Sequence, residues 1–319
     1  MIMNLGLPYK GSKNTIANDI VKALPRGKKL LDACCGGGAI LMAAAMSGRW
    51  EKVVGNDLNA ATIALLDAVL IHKGQIEYEH PPVCTRDDFF HSLQRIENGD
   101  FTIQDCVNKY CASFGNDGKT YLYGADLEAC KTTAEEMLAG ATLEKRRRGY
   151  RKFMNFLLGD SSDERLLRLK NLVQLNQLER LQRLERLERL ERLERLERLE
   201  RLERLDIFSI DYSEYDVVYF DIPYKGTNKY DFEFDYDGFY AMFANLDCPA
   251  FLSEYDAPFN AIATFDKVQN MAAVGSTGKR DGLEKLYFNG TMDDYKRLMG
   301  AEYRPIDEGK QIDIFEVVA

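Results

Sequence analysis

The stretch "GKKLLDACCGGGAILMAAAMSG", beginning at Gly27, constrains the fold more than any other part of the 319-residue chain. A short apolar strand, Lys29–Ala33, runs into a glycine cluster and then into an alanine-rich helix. A second strand, "KVVGNDL" at 52–58, ends on an acid, and "NAATIALLDAVLIHKG" at 59–74 is a helix closed by a glycine. Strand, glycine turn, helix, strand and acid in that order make a βαβ unit, which belongs to a parallel sheet. Further strands are expected at "LDIFSIDY" (205–212), by alternation, and at "YDVVYFD" (215–221). The second is almost wholly apolar, as the centre of a parallel sheet requires. "PAFLSEYD" (249–256) and "EKLYFNG" (284–290) read as two more. The expected fold is α/β: a mostly parallel sheet with helices on both faces.

Two segments interrupt this pattern. Residues 75–165 lose the alternation and carry turn signals such as "FGNDGK". They read as a mainly helical insertion. From Leu166 to Leu205 a leucine recurs every third residue, and seven perfect Leu-Glu-Arg triplets fill Leu184–Arg204. A period of three suits no regular element well. In an α-helix each leucine steps round by about −60°, so a long stripe drifts off any one face. A 3₁₀-helix would align the leucines but is rarely long. Leu, Glu and Arg are all strong helix formers, and each Glu has an Arg four residues on. An α-helix, a 3₁₀-helix and a compact coil all stay open; forty residues of α-helix would be about 60 Å long and would project from the body. The triplets resemble expansion of a short coding repeat, so the length of the segment is expected to matter little to the chemistry. The catalytic domain is then 1–74 with 206–319, the insertion 75–165 and the repeat 166–205.

Composition narrows the class. No apolar run approaches the ~18 residues of a membrane span, and the N-terminus "MIMNLGLPYKGSK" has no signal-peptide stretch. Seven scattered cysteines without a C-x-x-C pair, and only three histidines, argue against a zinc site or a disulfide framework and for a cytoplasmic protein. The net charge of −9 speaks mildly against nucleic acid, but local clustering decides that question. "EKRRRGYRK" at 144–152 holds six basic residues, Lys145, Arg146, Arg147, Arg148, Arg151 and Lys152, against one acid. It is a candidate phosphate-contacting patch.

The chemistry concentrates in Asp221-Ile222-Pro223-Tyr224. Ligand sites of open α/β sheets lie at the carboxyl ends of strands, where Asp221 is expected. Pro223 fixes its own φ and biases Ile222 toward an extended conformation. The Ile222 carbonyl is then free to face a pocket beside the Asp221 carboxylate. Two acceptors and the flat face of Tyr224 suit an exocyclic amine on a planar base.

"DIPY" resembles the Asp-Pro-Pro-Tyr motif of DNA amino-methyltransferases, and the order of motifs resembles the Dam-like, D12 class of adenine-N6 enzymes. The resemblance spans most of the chain except the repeat. It implies a Rossmann-like methyltransferase sheet, S-adenosylmethionine as methyl donor, double-stranded DNA as partner and no metal. "PYKGSK" (8–13) looks like the N-terminal motif of the class, which puts Tyr9 and Lys13 at the donor pocket and Lys10 at the DNA. "LLDACCGGG" (30–38) looks like its Phe-x-Gly-x-Gly loop, which implies that Asp32, Cys34, Gly36 and Gly38 hold the methionine end. Asp57 matches the acid that binds the ribose hydroxyls, and Asp211 and Tyr212 match the pair flanking the adenine of the donor. Residues 75–165 take the place of the target-recognition region.

The sequence departs from the class at two positions. Ile222 replaces the first proline, whose backbone carbonyl is the working group, and Cys34 replaces an aromatic. The implied reaction is methyl transfer to adenine N6 in DNA, with the base flipped out of the stack. Cytosine N4 or an amine on RNA or protein are the alternative substrates. A degenerate methyltransferase body carrying the repeat as an assembly element is the alternative of a different class.

Overall fold

The computed structural model describes residues 5–158, 179–193, 196–224, 234–267 and 282–303. Residues 166–178 and 194–195 of the repeat, and 159–165 of the expected insertion, lie outside them. The chain forms two compact units: Met1–Ser12 with Asn59–Glu194, and Lys13–Leu58 with Arg195–Ala319.

The second unit is built on a seven-stranded sheet of order β3-β2-β1-β4-β5-β7-β6. Its strands are β1 (Gly27–Asp32), β2 (Trp50–Asn56), β3 (Leu199–Glu203), β4 (Val217–Phe220), β5 (Ala250–Glu254), β6 (Asn260–Lys267) and β7 (Gly282–Phe288). The first five run parallel, and β7 is antiparallel to both β5 and β6. Central strands are apolar on both faces because both faces are covered. Leu31, Val54, Val218 and Phe220 pack with Phe239 and Phe243 of the helix Tyr236–Ala244. On the opposite face Phe251 and Phe288 meet Tyr295 of the helix Met292–Met299. Helices α1 (Ala17–Ala23) and α2 (Ala39–Ser47) complete the unit, α2 being buried along most of its length.

The first unit is helical among its described residues: α3 (Ala60–Leu70), α4 (Arg86–Glu97), α5 (Ile103–Cys111), α6 (Ala125–Ala139), α7 (Leu143–Leu158) and α8 (Glu179–Glu191). Thr85 and Thr102 begin α4 and α5 with capping boxes, pairing with Asp88 and Asp105. Helices α6 and α7 approach closely, because a side chain on Gly149 would collide with the backbone of Glu136 and Met137.

The described part of the repeat is neither one projecting helix nor a coil: it is α8 followed by β3. In α8 the leucines at 184, 187 and 190 are buried. Two steps of about −60° still fit one arc of the helix, so the drift has not yet carried a leucine off the core face. Three arginines of α8, at 180, 183 and 186, turn inward as well, whereas Arg189 is exposed. Arg180, 1% exposed, pairs with Glu135 at 2.7 Å and donates to the Pro82 carbonyl at 2.5 Å. Arg183 donates to the carbonyls of Cys111 and Ser113, and Arg186 to those of Gly6 and Leu5. In β3 a bulge solves the same mismatch. Val53 faces Leu199 but Val54 faces Arg201, so one extra residue is absorbed. Leu202 then faces Gly55, and two leucines three apart share the face of Val53 and Gly55. Gly55 is needed there, since a Cβ would lie 2.8 Å from Leu202 and 2.9 Å from Leu41.

The strand expected over 205–212 is absent: Ile207–Ser209 and Tyr212–Glu214 are 3₁₀ turns. Asp206 and Asp211 accept from the backbone N–H groups of Phe208 and Ser213 and bend the chain out of the ladder. The strand β6, which carries no clear alternation, was not expected.

Candidate active site

The glycine turn after β1 is tied to the ends of the neighbouring strands. The Ala33 N–H donates to the Tyr219 carbonyl and the Cys35 N–H to that of Asn56, both at 2.8 Å. Gly36 and Gly38 have φ of +47° and +77°, a region that favours glycine. The Gly36 N–H donates to the Asp57 carboxylate at 2.9 Å, so the acid that ends the β2 segment also closes the loop. Asn56, fully buried, donates to the carbonyls of Ala33 and Leu205 and accepts from the Leu205 N–H. The loop geometry is therefore fixed by long-range bonds and not by the turn alone.

Acidic groups gather here. Asp32 is buried at the end of β1, and burial, with Asp221 and Asp57 nearby, drives its carboxyl well above the usual carboxylate range. The Leu41 N–H and the Lys13 ammonium pull the other way. Burial, with Asp57, Asp32 and Asp221 nearby, pushes the Cys34 thiol up. A buried acid among other acids has the donor set for a cationic ligand. The residues present therefore fit the ammonium and sulfonium of S-adenosylmethionine.

Asp221 follows β4 directly, and β4 is the hydrogen-bonded neighbour of β1. The sheet order reverses between these two strands, the place where open α/β sheets bind ligands. Ile222 buries its side chain in the core. Among the described residues no hydrogen bond is made to its carbonyl. Pro223 accepts from the Tyr236 hydroxyl at 2.9 Å.

Lys13 brings the N-terminal motif to this face. Its Nζ donates to both carboxylate oxygens of Asp221 at 2.6 Å and lies 4.8 Å from the Tyr224 ring centroid. It also meets Glu284 of β7 at 3.2 Å, and the Tyr224 hydroxyl donates to the same Glu284 oxygen at 2.7 Å. Burial alone would lower the Lys13 pKa, but the two carboxylates outweigh it and hold the ammonium charged. Burial and these carboxylates push the Tyr224 phenol far up, so it stays neutral. Tyr255, from the "FLSEYD" segment, meets Tyr224 edge-on with ring centroids 4.7 Å apart.

Lys13, Asp32, Cys34, Gly36, Gly38, Asp57 and Asp221 to Tyr224 thus belong to one unit. Asp211 and Tyr212 belong to it as well, and Tyr212 packs with Cys34 against the same core cluster. Asp211 is exposed with its carboxylate on Ser213, and the Tyr212 hydroxyl donates to the Ile207 carbonyl at 2.6 Å. Tyr9, Lys10 and the basic helix belong to the other unit. There the Tyr9 ring lies 5.9 Å from that of Tyr110, and Lys10 is exposed beside Asn116. Of the basic residues of α7, Arg148 and Lys152 pair with Glu136, and Arg146 donates to the Gly140 carbonyl at 2.7 Å. Lys145, Arg147 and Arg151 are exposed on the same helix. The sequence reading missed Glu284 and Asn56. The signal for Glu284 is an acid at the buried parity of an alternating strand, "GLEKLYF".

Among the described residues no helix is long and apolar enough to cross a membrane. The same residues hold no group of three or more His, Cys, Asp or Glu placed for a metal ion. A comparison with curated proteins found no match. Residues 9–114 match the model of the D12 class N6 adenine-specific DNA methyltransferase family. The matched stretch takes in the N-terminal motif, the glycine loop and Asp57, and it ends before the repeat and before Asp221. Over these residues, about a third of its length, the chain is similar to that family, and the similarity supports reading it as an adenine-specific DNA methyltransferase.

Proposed function

We propose that the chain transfers a methyl group from S-adenosylmethionine to the N6 amine of adenine, with the target base drawn out of the duplex. The observation that carries this reading is the meeting of two loops at the reversal of the sheet: the acid-lined glycine loop after β1 and Asp221–Tyr224 after β4. S-adenosylmethionine supplies the methyl group when bound. Asp32 and the Gly36–Gly38 loop would hold its methionine end and Asp57 its ribose, with Tyr9, Cys34, Asp211 and Tyr212 as further contacts. Asp221 and the Ile222 carbonyl accept the two N–H hydrogens of the amine, which turns its lone pair outward. Tyr224 stacks on the base. Pro223 keeps the Ile222 carbonyl from entering a helix.

Positioning supplies most of the catalysis in such a direct displacement. No covalent nucleophile is required. Exposed Lys10, Lys145, Arg147 and Arg151 would contact phosphates and set register without reading bases. Arg146, Arg148 and Lys152 would join them by giving up intramolecular partners.

The test is transfer of labelled methyl from S-adenosylmethionine to duplex DNA. Asp221→Ala should lose turnover by about a thousandfold or more, the size of loss seen when a group stabilising the transition state is removed. It should still bind S-adenosylmethionine. Normal turnover in that variant would refute the assignment.

A further inference from the structure

Glu284 is a carboxylate with no exposure, in a strand whose neighbours on the same face are Leu286 and Phe288. Burying an acid in a core is costly unless it is paired, and an apolar residue of similar size would stabilise such a site as well or better. The pairing is unusual in kind. One ammonium, Lys13, is shared between Glu284 at 3.2 Å and Asp221 at 2.6 Å. The Glu284 oxygen that faces Lys13 also accepts the Tyr224 hydroxyl at 2.7 Å. Glu284, some sixty residues further along, thus holds Tyr224 of the DIPY motif directly and shares Lys13 with Asp221.

The geometry creates a difficulty for the reaction and resolves it. Lys13 occupies both oxygens of Asp221, yet Asp221 must accept an N–H of the target amine. Lys13 has to yield one of them, and a buried ammonium cannot yield without another anion beside it. Glu284 is already in reach. Its grip on the Tyr224 hydroxyl meanwhile keeps the ring from turning as Lys13 shifts.

We propose that Glu284 is a positioning residue for methyl transfer: it anchors Tyr224 and takes over Lys13, so that Asp221 is released to the target amine. The inference rests on the reading of Asp221 as acceptor of that amine. Glu284 does not touch the substrate and acts through Lys13 and Tyr224.

The experiment measures kcat and KM for duplex DNA in wild type, Glu284→Gln, Tyr224→Phe and the double variant, together with thermal melting. Glu284→Gln keeps an acceptor for the Tyr224 hydroxyl but loses the charge that draws Lys13 away. It should lower kcat about 10- to 100-fold, the scale of a small misplacement at a reacting centre, and leave KM and melting nearly unchanged. The double variant should fall short of the product of the single effects, because both act through one unit. Glu284→Asp keeps the charge with a shorter reach, so it should lie between wild type and Glu284→Gln. It also serves if the glutamine variant fails to fold. Wild-type kcat in Glu284→Gln overturns the proposal, and so does a fall in kcat that only follows a lost melting transition or a raised KM. Absence of transfer by the wild type overturns the methylation reading, and this inference with it.

Discussion

The pentapeptide Leu-Glu-Arg-Leu-Glu occurs at 187–191 inside the helix α8 and again at 199–203 as the whole of strand β3. Identical residues fold two ways in one chain, so propensity cannot be what chooses. The helix is chosen by partners that reward three leucines on one arc and inward arginines: Glu135 and the carbonyls of Pro82, Cys111 and Ser113. The strand is chosen by the open edge of β2, whose ladder it completes, and by the space above Gly55 that Leu202 fills. A period of three matches neither element. The helix tolerates it by being short and the strand by a bulge. Local preference is a weak prior that tertiary context overrides.

The two halves should respond differently to injury. The largest effect is expected in the helix. Arg180→Met leaves Glu135 buried without its cation and should cost about 3–5 kcal/mol, read by chemical denaturation. Adding Glu135→Leu should recover much of that loss, because the uncompensated charge is then gone. A small effect from Arg180→Met alone would mean that α8 is held by its leucines only.

Leucine truncation should come next and should separate the halves. Leu187→Ala removes a fully buried side chain and should cost about 2–5 kcal/mol. Leu202→Ala removes a half-buried one from an edge strand and should cost about 1 kcal/mol. Equal losses would contradict the assignment of one leucine to a core and the other to a sheet edge.

Removal of one whole triplet should have the smallest effect. The perfect repeat lets the chain slip by three residues and present the same leucines and arginines to both partners, with only the connection after α8 shortened. Melting and methyl transfer should stay near wild type. Deleting two residues from the same place breaks the frame and should destabilise the protein strongly. Loss of activity on removing a single triplet would show that the length of the repeat, and not only its frame, is used.

What was legible in the sequence was what is local. The strand, the glycine turn and Asp57 announce themselves within some thirty residues, and DIPY lies at the end of the strand that its apolar run predicts. The repeat was illegible because its triplets are the same in both halves and only distant partners differ. Residues 205–212 misled because alternation was outvoted by two aspartates bonding to their own backbone. Glu284 was hidden for a third reason. It enters through the antiparallel strand at the far end of the chain, and nothing near it in sequence reveals that Lys13 and Tyr224 are its partners.

The most direct measurement is expression of the wild-type chain and of Asp221→Ala in a host lacking adenine methylation, followed by sequencing of host DNA with a method that reports N6-methyladenine. The account predicts the mark in one short recurring context with the wild type and none with the variant. No mark from a wild-type protein that binds S-adenosylmethionine, or a mark that survives Asp221→Ala, would contradict it.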